Sequence, residues 1–258
     1  MKARYNFDIF NAPGVRKEQL DGTPYRYWHS YAIAHIFSRR LSGRVDVLDA
    51  GAGDGGTLRL LRNLGLRGTY TCLDGRPTMQ TAKDPEFEIE VVASPFRDFV
   101  PQRQYDAVLF QGCLECVGDF AEIAWVRGCL KPGGFVVATL QCRNAHLLYR
   151  VYSRQGGRYR LDEEELEPAF ARIELRIAEL IPLVGVAGRL CQYVMNGGLA
   201  YYPQLLVRRT AGGIFPRLRN ADLIGTVNRG LNPLTARLDR SLPFRRIGHC
   251  LVLEPIAG

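Results

Sequence analysis

The chain has 258 residues, 47% of them hydrophobic and 23% charged, a composition that can bury an ample core and excludes global disorder. Its apolar runs are short and broken by Arg, Pro or Gly, so none approaches the roughly 20 apolar residues of a membrane-spanning helix. The formal charge of +8 is uneven: residues 1–129 carry 16 basic and 16 acidic side chains, residues 130–258 carry 18 and 10. Basicity of this kind does not by itself point to nucleic acid. The opening MKARYNFDIFNAPG has basic residues but no apolar stretch of the secretory kind behind them, so a cytoplasmic protein is expected. Seven scattered cysteines, an odd number in a chain too large to need stapling, fit a reducing compartment.

In chain order, the first expected element is an aromatic segment, TPYRYWHSYAIAHIFSRRL (23–41), helical over its second half. From Val45 onward short apolar runs alternate with helical stretches, the pattern of βαβ units and a parallel sheet. Strands are expected at 45–50, 69–74, 88–94, 105–111, 134–140, 172–180 and 247–255. A helix, TLRLLRNLG, follows the first strand and ends at Gly65. Between the last two strands lies an insertion, 182–246, in which Ile224, Val227, Leu231, Leu234 and Leu238 recur as one stripe of an amphipathic helix. Pro233 must kink or divide that helix.

The residues that carry chemistry begin at the end of the first strand. Asp49-Ala50-Gly51-Ala52-Gly53-Asp54-Gly55-Gly56 opens a helix, and its glycines let the backbone turn sharply and approach a ligand in the crevice where open α/β sheets bind. The pattern fits G-x-G-x-x-G, which alone does not separate a dinucleotide from other adenosyl ligands. Asp74 ends the second strand 21 residues after Gly53, where a carboxylate can accept both hydroxyls of a ribose.

With these stand ASPF (93–96), YDAVLFQGCLECVGD (105–119) and LKPGG (130–134). In their order and spacing, over residues 45–140 and less clearly the last strand, these pieces resemble the class I S-adenosylmethionine-dependent methyltransferases. The resemblance implies an α/β, Rossmann-like, seven-stranded methyltransferase sheet. It divides the chain into an N-terminal helical lid (1–44), a cofactor-binding core (45–181), a C-terminal helical cap insertion (182–246) and a final core strand (247–258). It also implies S-adenosylmethionine as cofactor. Asp49, Ala50, Gly51 and Gly53 would cradle its methionine part, and Asp74 the ribose, with Gly75 beside it. Ser94, Pro95 and Phe96 would flank the adenine, and Gln111 and Gly112 would face the methionine and sulfonium.

The chain departs from that family at one place: many relatives that methylate small molecules read Leu-Glu-His-Val after the fourth strand, where this chain has Leu114-Glu115-Cys116-Val117. Any role of that histidine cannot be transferred. The Asn/Asp-Pro-Pro-aromatic signature of base and glutamine-amide N-methylation is absent, which disfavours nucleic acid as acceptor. Cys113 and Cys116 form C-x-x-C without a second pair at metal-ligand spacing, so two small turn residues, and no metal site, are expected.

A sulfonium is already an activated electrophile, so transfer mainly requires a nucleophile held in line, and an acceptor of high pKa alone needs a general base. The chain has four histidines. His29, within the N-terminal aromatic segment, is the first base candidate, with Tyr25 as a second polar group and His146 next. A helix that simply packs its aromatics against the core explains His29 as well. His35 has the look of a core-face residue, and His249 falls in the final strand.

The insertion brings Tyr193, Tyr201 and Tyr202 and nine Arg between 208 and 246. It is either a pocket or surface for an anionic acceptor, a peripheral lipid headgroup included, or a solvated basic face. The expected activity is methyl transfer to a small-molecule acceptor. The alternatives are intramolecular cyclisation of the cofactor with release of methylthioadenosine, and a catalytically silent cofactor-binding partner subunit.

Overall fold

The computed structural model describes residues 24–53, 55–75, 77, 84–114, 117, 119–141, 163–184 and 248–256. They form one seven-stranded sheet of β1 (Arg44–Ala50), β2 (Arg67–Asp74), β3 (Phe87–Ala93), β4 (Tyr105–Gln111), β5 (Leu130–Gln141), β6 (Leu175–Val184) and β7 (Gly248–Pro255). The order is β3-β2-β1-β4-β5-β7-β6. The first five strands run parallel, and β7 lies antiparallel between β5 and β6. The order reverses between β1 and β4, so the crevice beyond their carboxyl ends is a topological switch point, where open α/β sheets take their ligands.

Helices cover both faces. Because strand residues alternate, Val45 and Val47 of β1, Tyr70 and Cys72 of β2 and Leu109 of β4 pack on one face with α1 (Pro24–Arg40) and α2 (Gly56–Asn63). Leu48 and Ala50, Val108 and Phe110 pack on the other, with α3 (Trp125–Cys129) and α4 (Glu163–Ala171). The α2 helix closes as its sequence requires. Gly65 takes φ +72, and Leu66 N and Gly65 N donate to Leu61 O at 3.1 Å and Arg62 O at 2.8 Å, the paired bonds of a Schellman cap.

Three elements depart from expectation by more than two residues at a boundary. The N-terminal segment is helical from Pro24, not over its second half alone, and Ala32, Ile33, Ala34, Ile36 and Phe37 bury its face against the sheet. β5 begins at Leu130, which pairs with Tyr105 before an irregularity that carries the LKPGG turn. β6 spans Leu175–Val184 in place of 172–180, because Glu174 holds φ +59 and caps the turn after α4 with its N–H on Ala171 O at 3.0 Å. β6 therefore includes the first three residues of the expected insertion. The remainder of 182–246, with the Ile224–Leu238 stripe and Pro233, lies outside the described residues, as do residues 1–23.

Candidate functional site

The residues expected to bind one ligand stand together at the carboxyl edge of β1 to β4. The turn after β1 is held from two sides. Gly51 N donates to Leu73 O at 2.7 Å, and the Cys113 thiol donates to Ala50 O at 3.0 Å. Gly53 N donates to Asp74 Oδ2 at 3.1 Å, which couples this turn to the end of β2. Ser94 N donates to Asp74 O at 3.1 Å and brings the segment after β3 alongside. Gly112, after β4, donates its N–H to Thr139 Oγ1 at 2.9 Å.

Two glycines explain why side chains are missing from this turn. Gly51 has φ +80, and a Cβ there would lie 2.8 Å from both Cβ and Sγ of Cys113 and 3.6 Å from the ring of Phe96. Gly53 has φ +57 and nothing within 4 Å of where its Cβ would be, so its backbone borders open space. A left-handed turn with exposed backbone on one side and packed side chains on the other fits a ligand that must approach the main chain closely. Asp74, half-buried at the strand end, has a carboxylate with about four acceptor positions, one of which takes the Gly53 N–H.

Beyond Ser94 and Pro95, Phe96 sets its ring edge-on to Phe110 at 5.7 Å. Its carbonyl accepts Trp125 Nε1 at 2.9 Å, and Trp125 in turn packs against Phe99 at 4.9 Å. This aromatic wall supports the segment expected to flank an adenine.

On the α1 and α2 face, polar groups collect under the turn. Asp49 is 1% exposed and accepts from the hydroxyl of Tyr70 at 2.5 Å. Thr57, at the start of α2, donates to Gln111 Oε1 at 3.3 Å. Burial, with the adjacent Asp49 charge second, holds the Tyr70 phenol well above its ordinary value, so Tyr70 remains a donor. Cys72, between Tyr70 and Asp74 on β2, is pushed up to about 12 by burial and then by the charges of Asp49 and Asp74, which leaves an inert thiol.

The structure thus brings together Asp49, Ala50, Gly51, Gly53, Asp74, Gly75, Ser94, Pro95, Phe96, Gln111 and Gly112. His29 is 1% exposed on α1. Only three residues separate α1 from β1, so the helix runs back antiparallel to that strand, with its N-terminal half towards the carboxyl edge. Tyr25 stands in the first turn of α1. His146, Cys116, Tyr193, Tyr201 and Tyr202 lie outside the described residues. His35 is buried in α1, and His249 is fully buried near the start of β7. No three His, Cys, Asp or Glu side chains among the described residues form a metal-binding group.

Sequence reasoning missed Tyr70, Thr57, Cys113 as packing partner of Gly51, and Thr139. Thr139 alone carried a signal, a polar residue near the carboxyl end of an apolar strand, whereas Tyr70, Thr57 and Cys113 meet their partners only through the fold.

The chain matches the model of a methyltransferase domain over residues 25–180. No curated protein matches it by sequence. Among solved structures, it is similar to a SAM-dependent methyltransferase from Geobacter sulfurreducens in complex with S-adenosyl-L-homocysteine. The two share 15% identity and a TM-score of 0.54, over 97% of this chain and 99% of that one. A Thiobacillus denitrificans methyltransferase, also with S-adenosyl-L-homocysteine, gives 15% identity and TM-score 0.52 over 99% and 100%. Phosphoethanolamine N-methyltransferase 2 of Haemonchus contortus gives 18% and 0.53 over 88% of this chain, which spans only 52% of that one. At these identities the neighbours speak for the fold. The family model covers well over half of the chain, which belongs to the methyltransferase-domain family and is an S-adenosylmethionine-dependent transferase.

Proposed function

We propose that this transferase methylates a small-molecule acceptor, and that the arginine-rich part of 182–246 selects an anionic one. The observation that carries the cofactor half of this reading is the bond from Gly53 N to Asp74 Oδ2, which joins the turn assigned to the methionine moiety to the carboxylate assigned to the ribose. When bound, S-adenosylmethionine supplies a methyl group already activated by its sulfonium.

The residues of the chain then bind and orient. Asp49, Ala50, Gly51 and Gly53 hold the methionine part through the close-approach turn. Asp74 accepts from the ribose, with Gly75 beside it. Ser94, Pro95 and Phe96 would flank the adenine, and Gln111 and Gly112 would face the methionine and sulfonium. Such an arrangement contributes chiefly by fixing the attack line, since positioning alone can supply several kcal/mol of the barrier (about 7–11 in the best cases). For an acceptor that must lose a proton, His29 is the first base, with Tyr25 and His146 behind it. In the segment 182–246, guanidinium groups suit a carboxylate or phosphate on the acceptor because they present a planar fork of donors.

The test is product analysis. The protein is incubated with methyl-labelled S-adenosylmethionine, with and without small carboxylates and phosphate monoesters. Adenosylhomocysteine and a labelled acceptor, formed only when acceptor is present, support the reading. Methylthioadenosine from cofactor alone assigns cyclisation instead. Absence of any product together with a stable co-purifying protein assigns a silent subunit.

A further inference from the structure

We infer that Tyr70 is a positioning residue of the cofactor site, acting through the Asp49 carboxylate, with Thr57 beside it holding Gln111. This inference rests on the cofactor reading of residues 49–53 and 111.

Tyr70 lies in the middle of β2, fully buried, on a strand whose other inward residues on that face are apolar or small. Filling the core requires only the ring, which Phe would provide. The hydroxyl is a separate cost, because a buried O–H is stable only with a partner. Its partner is Asp49 Oδ2, on the neighbouring strand and one peptide before the glycine turn begins. Since the phenol stays protonated, it can donate but not share negative charge, and turning the carboxylate away would strand the hydroxyl. Asp49 is therefore locked in one orientation.

The same set reaches α2 and β4. Thr57, close enough to the Tyr70 phenol to affect its titration, donates its hydroxyl to Gln111 Oε1 at 3.3 Å. Two neighbouring hydroxyls thus hold the last side chain that β1 presents to this face, and the last residue of β4 from the second residue of α2. Those are the elements that frame the turn from Asp49 to Gly53. None of these contacts touches the outer, open side of the turn, so the role of Tyr70 is to orient groups that meet the cofactor without meeting it itself.

The test is a double-mutant cycle read by calorimetric titration of S-adenosylhomocysteine into wild type, Tyr70→Phe, Asp49→Asn and the double variant. The expected result is an affinity loss of about tenfold for Tyr70→Phe, with native near-ultraviolet circular dichroism. The double variant should bind no more weakly than Asp49→Asn alone, because Tyr70 acts through Asp49. Wild-type affinity in Tyr70→Phe, or losses that multiply in the double variant, overturn the proposal. A purely structural Tyr70 gives the multiplying result. If Tyr70→Phe does not fold, Thr57→Val carries the test, with a loss of about threefold that is likewise absent in the Asp49→Asn background and wild-type affinity as the overturning result. A wild-type chain that does not bind S-adenosylhomocysteine overturns the cofactor reading itself, and this proposal with it.

Discussion

The two edges of the one sheet use polar groups in opposite ways. At the amino edge, Lys131 Nζ meets Asp46 Oδ2 at 2.7 Å and Asp106 Oδ2 at 2.8 Å, and Asp46 N donates to Asp106 Oδ2 at 2.7 Å. Nearby, Arg40 bonds Glu254 at 2.8 Å and Glu179 at 3.2 Å while its guanidinium lies 5.1 Å from the centre of the Phe135 ring. These charges answer one another and join β1, β4, β5, β6, β7 and α1. At the carboxyl edge the bonds among the described site residues are of another kind. Backbone N–H groups, one buried carboxylate and uncharged hydroxyls hold the glycine turn, and the backbone passes through left-handed conformations. A closed set of ion pairs serves the fold, whereas neutral donors around a carboxylate and an open turn leave recognition capacity for a ligand.

The sharpest way to break this contrast is Gly51→Val. It adds a branched side chain at φ +80, where even a Cβ lies 2.8 Å from Cys113. Binding of S-adenosylhomocysteine should fall below detection by calorimetry, with a stability loss of about 2–3 kcal/mol in chemical denaturation. Asp74→Ala comes next. It removes the acceptor for Gly53 and, on the proposed function, for the ribose, and affinity should fall by roughly a hundredfold, with a melting temperature lowered by only a few degrees. Unchanged affinity would end the ribose role of Asp74.

Lys131→Met probes the other edge. It should lower stability by about 1 kcal/mol and leave S-adenosylhomocysteine affinity unaltered, since its partners lie at the opposite ends of the strands. It should also change the acid limb. Asp46 is raised by its burial, but the hydrogen bonds from Lys131 and Thr69 and the charges of Lys131 and Arg103 outweigh this and hold it below the ordinary carboxylate value. A lowered carboxyl stabilises the fold above its unfolded value and loses that contribution as pH falls through the folded one. Stability of the wild type should therefore decline below about pH 4, and Lys131→Met should flatten that part of the decline in melts recorded from pH 3 to 7. The smallest effect is expected from Trp125→Phe, which keeps the ring packing but removes the bond to the Phe96 carbonyl. Affinity should fall about threefold, equivalent to roughly 0.7 kcal/mol, with turnover at saturating cofactor unchanged.

What could be read along the chain was what is local. The apolar runs within β1 and β4 announced buried parallel strands, because strands covered on both faces are largely apolar. The glycine turn and the acidic residue 21 positions on were visible because tight backbone approach and a strand-end carboxylate each require a specific residue type at a specific place. The early start of α1 was not visible: Tyr25, Tyr27, Trp28 and Tyr31 are poor helix formers by propensity, and docking on the sheet overrides that preference. Nor was the start of β6, since a non-glycine residue at φ +59 is a tertiary compromise with no sequence signature.

The sequence by itself therefore determined the family and the glycine turn and strand-end carboxylate that stand at the carboxyl edge, because close backbone approach leaves little freedom of residue type. The tertiary structure decided which side chains support them. Tyr70 meets Asp49 across neighbouring strands, Thr57 meets Gln111 from helix to strand, Cys113 fills the place beside Gly51, and Trp125 holds Phe96. Each of these pairs is separated by about 20 residues or more, and their meeting depends on strand order and register, which no local pattern encodes.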